Sequence, residues 1–100
     1  MAFNLIFLRR AQQEISDAIE WYEMRQVGLG KKFLTEIEDE LQRITDNPLL
    51  YPGSDETPTI YRRSVLKKSP FVIIYSSTKD DIIIHSVFHT HLNPNKKPSA

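Results

Sequence analysis

Four positive charges stand close together just before a long apolar run. The stretch "TIYRRSVLKKSPFVIIYSS" holds Arg62 and Arg63 and then Lys67 and Lys68. A guanidinium group offers a planar fork of N–H donors that matches a phosphate group, and an ammonium group adds a compact positive charge. An arginine also stabilises the negative charge that develops on a phosphate being cut. We therefore expect all four residues to bind a target or a phosphate group, with Arg62 and Arg63 as candidates for catalysis.

The same four cations have plainer interpretations. Neighbouring strand residues point to opposite faces of a sheet, so only one of Arg62 and Arg63 can face a target. The sequence does not choose between them. Either arginine could instead pair with acidic helix residues or contact an acidic partner. Lys67 and Lys68 could serve only to keep a strand edge from pairing with another chain. The sequence leaves these alternatives open.

All three histidines lie near the C-terminal end, at positions 85, 89 and 91. Imidazole titrates near neutral pH, so His89 is a candidate acid or base, while His85 and His91 are candidates for target binding. The alternative for His89 is a hydrogen bond that shapes the end of the sheet. His85 and His89 would be roughly 13 Å apart on an extended strand, too far to share one metal ion. His89 and His91 alone make an incomplete site, so we expect no metal and no cofactor.

Tyr75 ends the long apolar run "FVIIY". An aromatic ring on an exposed sheet face can stack on nucleic-acid bases, so Tyr75 is a further candidate for target binding. Its spacing from Phe71 and Ile73 supports the alternative, in which the ring closes the core and the hydroxyl lies at the rim.

Composition indicates one globular domain, which we predict over residues 1–94, with an irregular tail over residues 95–100. The 100 residues are 40% hydrophobic and 26% charged, and none is cysteine. The lack of cysteine excludes disulfides and thiolate catalysis and suits the cytoplasm. No apolar stretch approaches the roughly 18 residues of a membrane span, so we expect no membrane partner.

The net charge of zero conceals an uneven distribution. Residues 1–50 hold six Lys/Arg against nine Asp/Glu, and residues 51–100 hold seven against four. Such asymmetry suggests a basic surface for a polyanion and an acidic surface for another partner.

Hydrophobic spacing predicts the elements that must position these residues. Apolar residues recur at helical spacing over residues 10–25 and 33–44, and the second helix should end before Pro48. Gly28 and Gly30 permit a tight reversal between the helices, so we expect an antiparallel helical hairpin. Residues 49–58 are rich in turn-forming types and predict a loop. Strands are predicted over residues 3–8, 60–68, 70–77 and 81–89.

The predicted order is β-α-α-β-β-β, an α+β fold. The hairpin would cover one face of a mainly antiparallel sheet of about four strands and leave the other face open. On the last strand, Ile82, Ile84, Ser86 and Phe88 form the better core set. Strict alternation then predicts that His85 and His89 lie on the open face, beside the basic residues.

Several phrases, taken in order, resemble the RelE/ParE superfamily of toxins, and the ParE-like branch most. They are "AIEWYE", "GLGKKF", "DNPLLYP", the arginine pair before "SPFVIIY", and "VFHTHLNP". The resemblance covers residues 3–94, and His89 matches the family's histidine near the end of the last strand.

This resemblance implies the toxin of a type II toxin–antitoxin module, neutralised by a cognate antitoxin. ParE-like toxins poison DNA gyrase, and we expect this mode, because no pair of residues reads securely as acid and base on the open face. The alternative is a RelE-like enzyme that cuts mRNA on the ribosome. A second alternative is a non-toxic protein-binding relative, since an arginine often found near the end of family members is missing here. A homo-oligomer is compatible with either.

Overall fold

The computed structural model of the chain describes residues 3–49, 51, 53 and 60–90. The elements are β1 (Asn4–Phe7), α1 (Arg9–Arg25), α2 (Leu29–Asp46), β2 (Arg62–Val65), β3 (Phe71–Ser77) and β4 (Asp81–His89). The predicted β-α-α-β-β-β order and the α+β class are confirmed. The loop predicted over residues 49–58 is described only at 49, 51 and 53, and the tail predicted over residues 95–100 lies outside the described residues.

Both helices form where the apolar spacing predicts them. α2 buries Phe33, Ile37, Leu41 and Ile44, which recur every three or four residues and so share one stripe. The helix begins earlier than the apolar stripe does, at Leu29. It ends at Asp46 because Pro48 disfavours a helical backbone at Asn47.

The connection between the helices is held by one carboxylate. Gly28 precedes α2 with a φ of 95°, a backbone conformation that favours glycine. The Glu23 carboxylate of α1 accepts hydrogen bonds from the backbone N–H groups of Gly28 and Gly30, each at 3.0 Å. Gly28 is the residue before α2 and Gly30 lies in its first turn, where N–H donors have no partner within the helix. Glu23 therefore fixes the start of α2 against the end of α1.

The four strands form one sheet in the order β1-β4-β3-β2. β4 pairs antiparallel with β3 and β3 pairs antiparallel with β2, while β1 pairs parallel with β4. β2 is shorter than the strand predicted over residues 60–68 and forms one edge of the sheet. The two-helix crossover between β1 and the rest of the sheet places both helices on one face.

The main core lies between the helices and this face. Tyr75, Ile73, Ile82 and Ile84 of the sheet are fully buried in it. Phe33 of α2 joins them, with its ring centroid 4.9 Å from that of Phe71.

A β-bulge changes which residues of β4 face the helices. Ile74 pairs with Ser86 and Tyr75 pairs with Ile84, so His85 is an extra residue in β4. Before the bulge the alternation is as predicted, since Ile84 faces the helices. After it the alternation reverses: Val87 joins the main core, and Phe88 lies on the other face. The prediction that Phe88 faces the core was therefore wrong.

The face of the sheet away from the helices is not simply polar. Val72, Ile74 and Phe88 form a second buried apolar cluster there, and Tyr61 packs against it. In the part of the chain that the structure describes, no helix or strand covers this face. It therefore combines an apolar centre with the polar groups described below, and we call it the outer face.

Candidate functional site

Arg62 and Arg63 lie on opposite faces of the sheet. Arg62 pairs across the sheet with Tyr75, on the helix side, and its guanidinium group donates a 2.8 Å hydrogen bond to the backbone carbonyl of Tyr51. Arg63 pairs with Ile74 of the outer-face cluster and is exposed. The structure thus makes the choice that the sequence left open: Arg63 is the arginine on the outer face, and Arg62 fastens the segment that contains Tyr51.

Lys67 and Lys68 lie in the turn between β2 and β3 rather than on a strand, and both are exposed. They line a cavity of about 720 Å³ that runs beside α2. From α2, Lys31 and Lys32 line the same cavity. We call the cavity bounded by these four residues the lysine groove. The four cations that the sequence places together are therefore divided among three surroundings.

Glu40 of α2 anchors a buried polar network that the sequence analysis did not identify. Only 4% of this residue is exposed. Its carboxylate accepts hydrogen bonds from the Ser64 hydroxyl at 2.5 Å, from Arg43 at 2.6 Å and from the Tyr51 hydroxyl. Burial by itself raises the pKa of Glu40, but these three hydrogen bonds and the charge of Arg43 outweigh it and hold the pKa below its ordinary value.

The Glu40 network stabilises the fold and leaves no reactive group free. Every polar atom of its carboxylate and hydroxyls that is buried has a partner. The same burial, with the neighbouring Glu40 charge, raises the pKa of Tyr51. The network joins α2, the segment around Tyr51 and β2, so it holds β2 in place beneath the helices.

Tyr75 is part of the core rather than of a binding surface. The residue is fully buried, and its hydroxyl donates a 2.8 Å hydrogen bond to the backbone carbonyl of Pro48. Burial raises the pKa of Tyr75 to about 12. A ring enclosed in this way cannot stack on a base, so the structure contradicts the target-binding role expected for Tyr75 and agrees with the core alternative.

His85 lies on the outer face, as predicted. Its Nε2 atom is hydrogen-bonded to the Ser76 hydroxyl at a distance of 2.7 Å, and its ring meets the edge of Tyr61 with centroids 4.9 Å apart. Burial lowers the pKa of His85 below its ordinary value, because it disfavours the charged imidazolium. The outer face therefore brings together Tyr61, Arg63, Ser76 and His85.

His89 lies on the helix side, and the prediction that it shares the open face with His85 was wrong. The bulge at His85 shifts the alternation by one residue, so His89 pairs with Phe71 and packs edge-on against its ring, with centroids 5.1 Å apart. His89 borders a smaller cavity of about 220 Å³ between α1 and the sheet. His91 lies outside the described residues.

Serine–glutamate hydrogen bonds tie the helices to the sheet at two further places. The Ser86 hydroxyl donates to Glu14 of α1 at 2.7 Å, and the Ser69 hydroxyl donates to Glu36 of α2 at 2.6 Å. Glu36 also accepts from the backbone N–H of Lys68 at 2.7 Å. Of the three glutamates that bind serine hydroxyls, only Glu40 could have been found from the sequence. It falls on the apolar stripe of α2, where a charged residue needs buried partners.

No metal centre is evident in the described part of the chain, because no three histidine or acidic side chains come close enough to hold an ion there. The helices within the same residues are too short or too polar to cross a membrane.

Comparison with known proteins identifies a family model and a similar fold. Residues 5–94 match the model described as "ParE toxin of type II toxin-antitoxin system, parDE". No curated protein matches the sequence of the chain.

Among solved structures, the chain is similar to one titled "Chromosomal ParDE TA system from P. aeruginosa", with a TM-score of 0.67. The match covers 88% of this chain and 96% of that chain, at 17% sequence identity. At this identity the likeness describes the fold and does not extend to individual site residues.

Proposed function

Because this chain belongs to the ParE toxin family of type II toxin–antitoxin systems, we propose that it inhibits growth by acting on DNA gyrase in the ParE manner. A cognate antitoxin is its neutralising partner within the module. Gyrase works on DNA in the cytoplasm, so the toxin would act in that compartment.

One observation carries the choice of gyrase over RNA cleavage: the catalytic candidates do not converge. Arg63 lies on the outer face, whereas Arg62 and His89 lie on the helix side, where they contact the Tyr51 carbonyl and the Phe71 ring. General acid–base cleavage requires its groups within hydrogen-bonding reach of one scissile bond. The separation of the three candidates supports action by binding.

Arg63 is the residue we assign to target contact. It is exposed and stands beside the apolar cluster of Val72, Ile74 and Phe88 and the ring of Tyr61. Arginine and tyrosine are among the residue types that carry most of the binding energy in protein interfaces. The exposed Arg63 and the half-buried Tyr61 therefore give the outer face two residues of these types, beside an apolar cluster that is itself buried.

Ribosome-dependent mRNA cleavage is the alternative, and one observation favours it. Arg63, Tyr61 and His85 share the outer face, where the imidazole of His85 is a candidate proton acceptor. A phosphate held by Arg63 would meet both an aromatic ring and a histidine on this face.

The experiment that separates these functions is induction of the chain in a host without antitoxin. Growth is recorded while 5′ ends are mapped on a translated mRNA from the same culture. We expect growth arrest with intact message. New cuts within codons that disappear when translation is blocked would establish the RelE-like mode instead.

The same culture also tests the third possibility, that the chain is a non-toxic member of the family. Unimpaired growth during strong expression of soluble, folded protein would overturn the assignment as an active toxin. The variant Arg63→Ala removes the proposed target contact and should no longer arrest growth. Its matched control is Arg9→Ala, because Arg9 is also an exposed arginine but begins α1 and is not part of the sheet.

A further inference from the structure

The lysine groove is a cavity of about 720 Å³ that lies apart from the outer face. Its floor and one side are α2, from Gly28 to Arg43, and its other side is the β2–β3 turn. Fifteen residue steps along a helix correspond to a length of about 22 Å. A groove of this length and a volume of about 720 Å³ accommodates a peptide segment rather than a small metabolite.

The four lysines of the groove are not held in ion pairs with described residues. Among the described residues, Lys31, Lys32, Lys67 and Lys68 make no ion pair, and all four are exposed around the cavity. Two of them come from each side of the groove. An acidic ligand lying in it would therefore meet ammonium groups along both edges.

Two of the three carboxylates of the groove are already engaged. Both oxygens of Glu36 accept hydrogen bonds, from the Lys68 backbone N–H and the Ser69 hydroxyl. Glu40 accepts from Ser64 and Arg43 and faces the protein interior. Glu36 and Asp39 keep their negative charges, so the five cations and three carboxylates that line the groove leave a formal net charge of +2.

We propose that the lysine groove binds an acidic segment of a protein partner, and that the antitoxin supplies this segment. The source of the segment rests on the proposed function, because only a toxin of this class has an antitoxin as its partner. The complementarity itself depends on the four unpaired lysines. Burial of their aliphatic stems by the peptide would add to the attraction between charges.

A protein segment suits this groove better than nucleic acid does. Arginine recognises phosphate with a fork that binds two oxygens at once, whereas lysine acts as a point charge. The one arginine of the groove, Arg43, is already bound to Glu40 at 2.6 Å. The remaining cations are flexible lysines that flank a concave surface, an arrangement that meets side-chain carboxylates spaced along a peptide.

The test uses the purified full chain and two labelled peptides of about 15 residues. The first peptide has Leu at helical spacing and Glu at the other positions, and the second has Gln in place of each Glu. Fluorescence anisotropy measures the dissociation constant of each at low salt. We expect the Glu peptide to bind at least about tenfold more tightly than the Gln peptide, and salt to weaken that binding.

Charge reversal on both sides of the groove locates the binding. The variant Lys32→Glu with Lys67→Glu should weaken binding of the Glu peptide by about tenfold or more, since each exposed charge contributes modestly and two are reversed. The matched control is Arg9→Glu with Lys79→Glu. The control changes the net charge by the same amount as the groove variant. Like that variant, it alters one residue near the start of a helix and one residue in a turn between strands. The control should bind within about twofold of the unmodified chain.

Three results would overturn the inference: equal binding of the Glu and Gln peptides, equal loss in the groove variant and its control, or tighter binding of a single-stranded oligonucleotide that the groove variant alone abolishes. The last result would make the groove a nucleic-acid site. The peptide assay does not depend on toxicity. A chain that fails to arrest growth but binds the Glu peptide in the groove would refute the proposed function and leave the acidic-segment site intact.

Discussion

Arg62 and Arg63 are neighbours in the sequence but serve different parts of the molecule. The guanidinium group of Arg62 is used within the protein, where it donates to the Tyr51 carbonyl. Arg63 is exposed on the outer face, beside an apolar cluster. Strand alternation predicts this division, but it does not say which arginine faces which side. That choice depends on the pairing of Arg62 with the buried Tyr75.

Arg63→Ala should therefore affect toxicity, whereas Arg62→Ala should affect stability. We expect Arg63→Ala to abolish growth arrest and to leave the free energy of unfolding within about 0.5 kcal/mol of the original. Arg62→Ala should lower that free energy by roughly 1–2 kcal/mol, because a partly buried carbonyl loses its donor. Urea unfolding and growth curves of the two variants check this. Full toxicity in Arg63→Ala would remove Arg63 from the target surface.

Glu40 should make stability depend on pH in the acid range. Its folded-state pKa lies below its ordinary value of 4.5, so between the two values the unfolded chain binds more protons than the folded one. The stabilisation is fully present above pH 4.5 and is lost as the pH falls through the folded-state pKa.

Glu40→Gln tests this dependence directly. The amide places an N–H₂ group or an uncharged oxygen where Ser64, Tyr51 and Arg43 donate, so we expect a loss of roughly 2–4 kcal/mol at pH 7. The difference between the variant and the original should shrink as the pH falls below 4.5. Thermal or urea unfolding from pH 7 to pH 3 measures it, and a difference that stays constant over this range would contradict the account.

At the scale of elements, β4 shows where sequence patterns stop being sufficient. Its bounds agree with the prediction, because apolar and β-branched residues fill it. The bulge at His85 leaves no clear mark in the sequence, since it arises from how β4 pairs with β3. One extra residue moved His89 and Phe88 to the faces opposite those expected. Face assignments beyond a bulge require the pairing register as well as the alternation.

The helical hairpin depends on a close approach at Gly30. A Cβ atom built on Gly30 would lie 2.9 Å from the backbone oxygen of Ile19 and 2.9 Å from Oε1 of Glu23. The carboxylate can move only by giving up its hydrogen bonds to the start of α2, and the backbone oxygen belongs to α1. The sequence predicts a reversal from its glycines, but the role of Glu23 emerges only when both helices are in place.

Gly30→Ala should consequently destabilise the protein although alanine favours helices. We expect the free energy of unfolding to fall by roughly 1–3 kcal/mol, because the two helices must separate to admit the methyl group. Glu38→Ala, on the exposed side of α2, is the control and should change it by less than about 0.5 kcal/mol. Equal stability of the two variants in urea would show that the hairpin accommodates the methyl group without strain.

At the scale of the whole molecule, the charge pattern of the sequence is redistributed by the fold. The stretch from Arg62 to Lys68 reads as one basic strip, yet the structure sends its cations to the helix side, the outer face and the lysine groove. Fold class and element order follow from hydrophobic spacing and turn residues. The division of surfaces does not, because the Glu40 network and the groove each combine α2 with residues more than twenty positions away.

The toxin has two separate candidate binding surfaces, the outer face and the lysine groove. In the proposed functions, the outer face presents Arg63 and Tyr61 to a target protein, while the lysine groove presents four ammonium groups to an acidic segment. Separate sites would allow charge reversal in the groove to leave target contact unchanged. The central claim is that the outer face acts on gyrase.

DNA supercoiling by purified gyrase, with the purified chain added in increasing amounts, tests that claim most directly. We predict that the folded chain inhibits introduction of negative supercoils, that Arg63→Ala does not, and that Arg9→Ala inhibits as the original does. Undiminished supercoiling at a large molar excess of folded chain over gyrase would contradict the account.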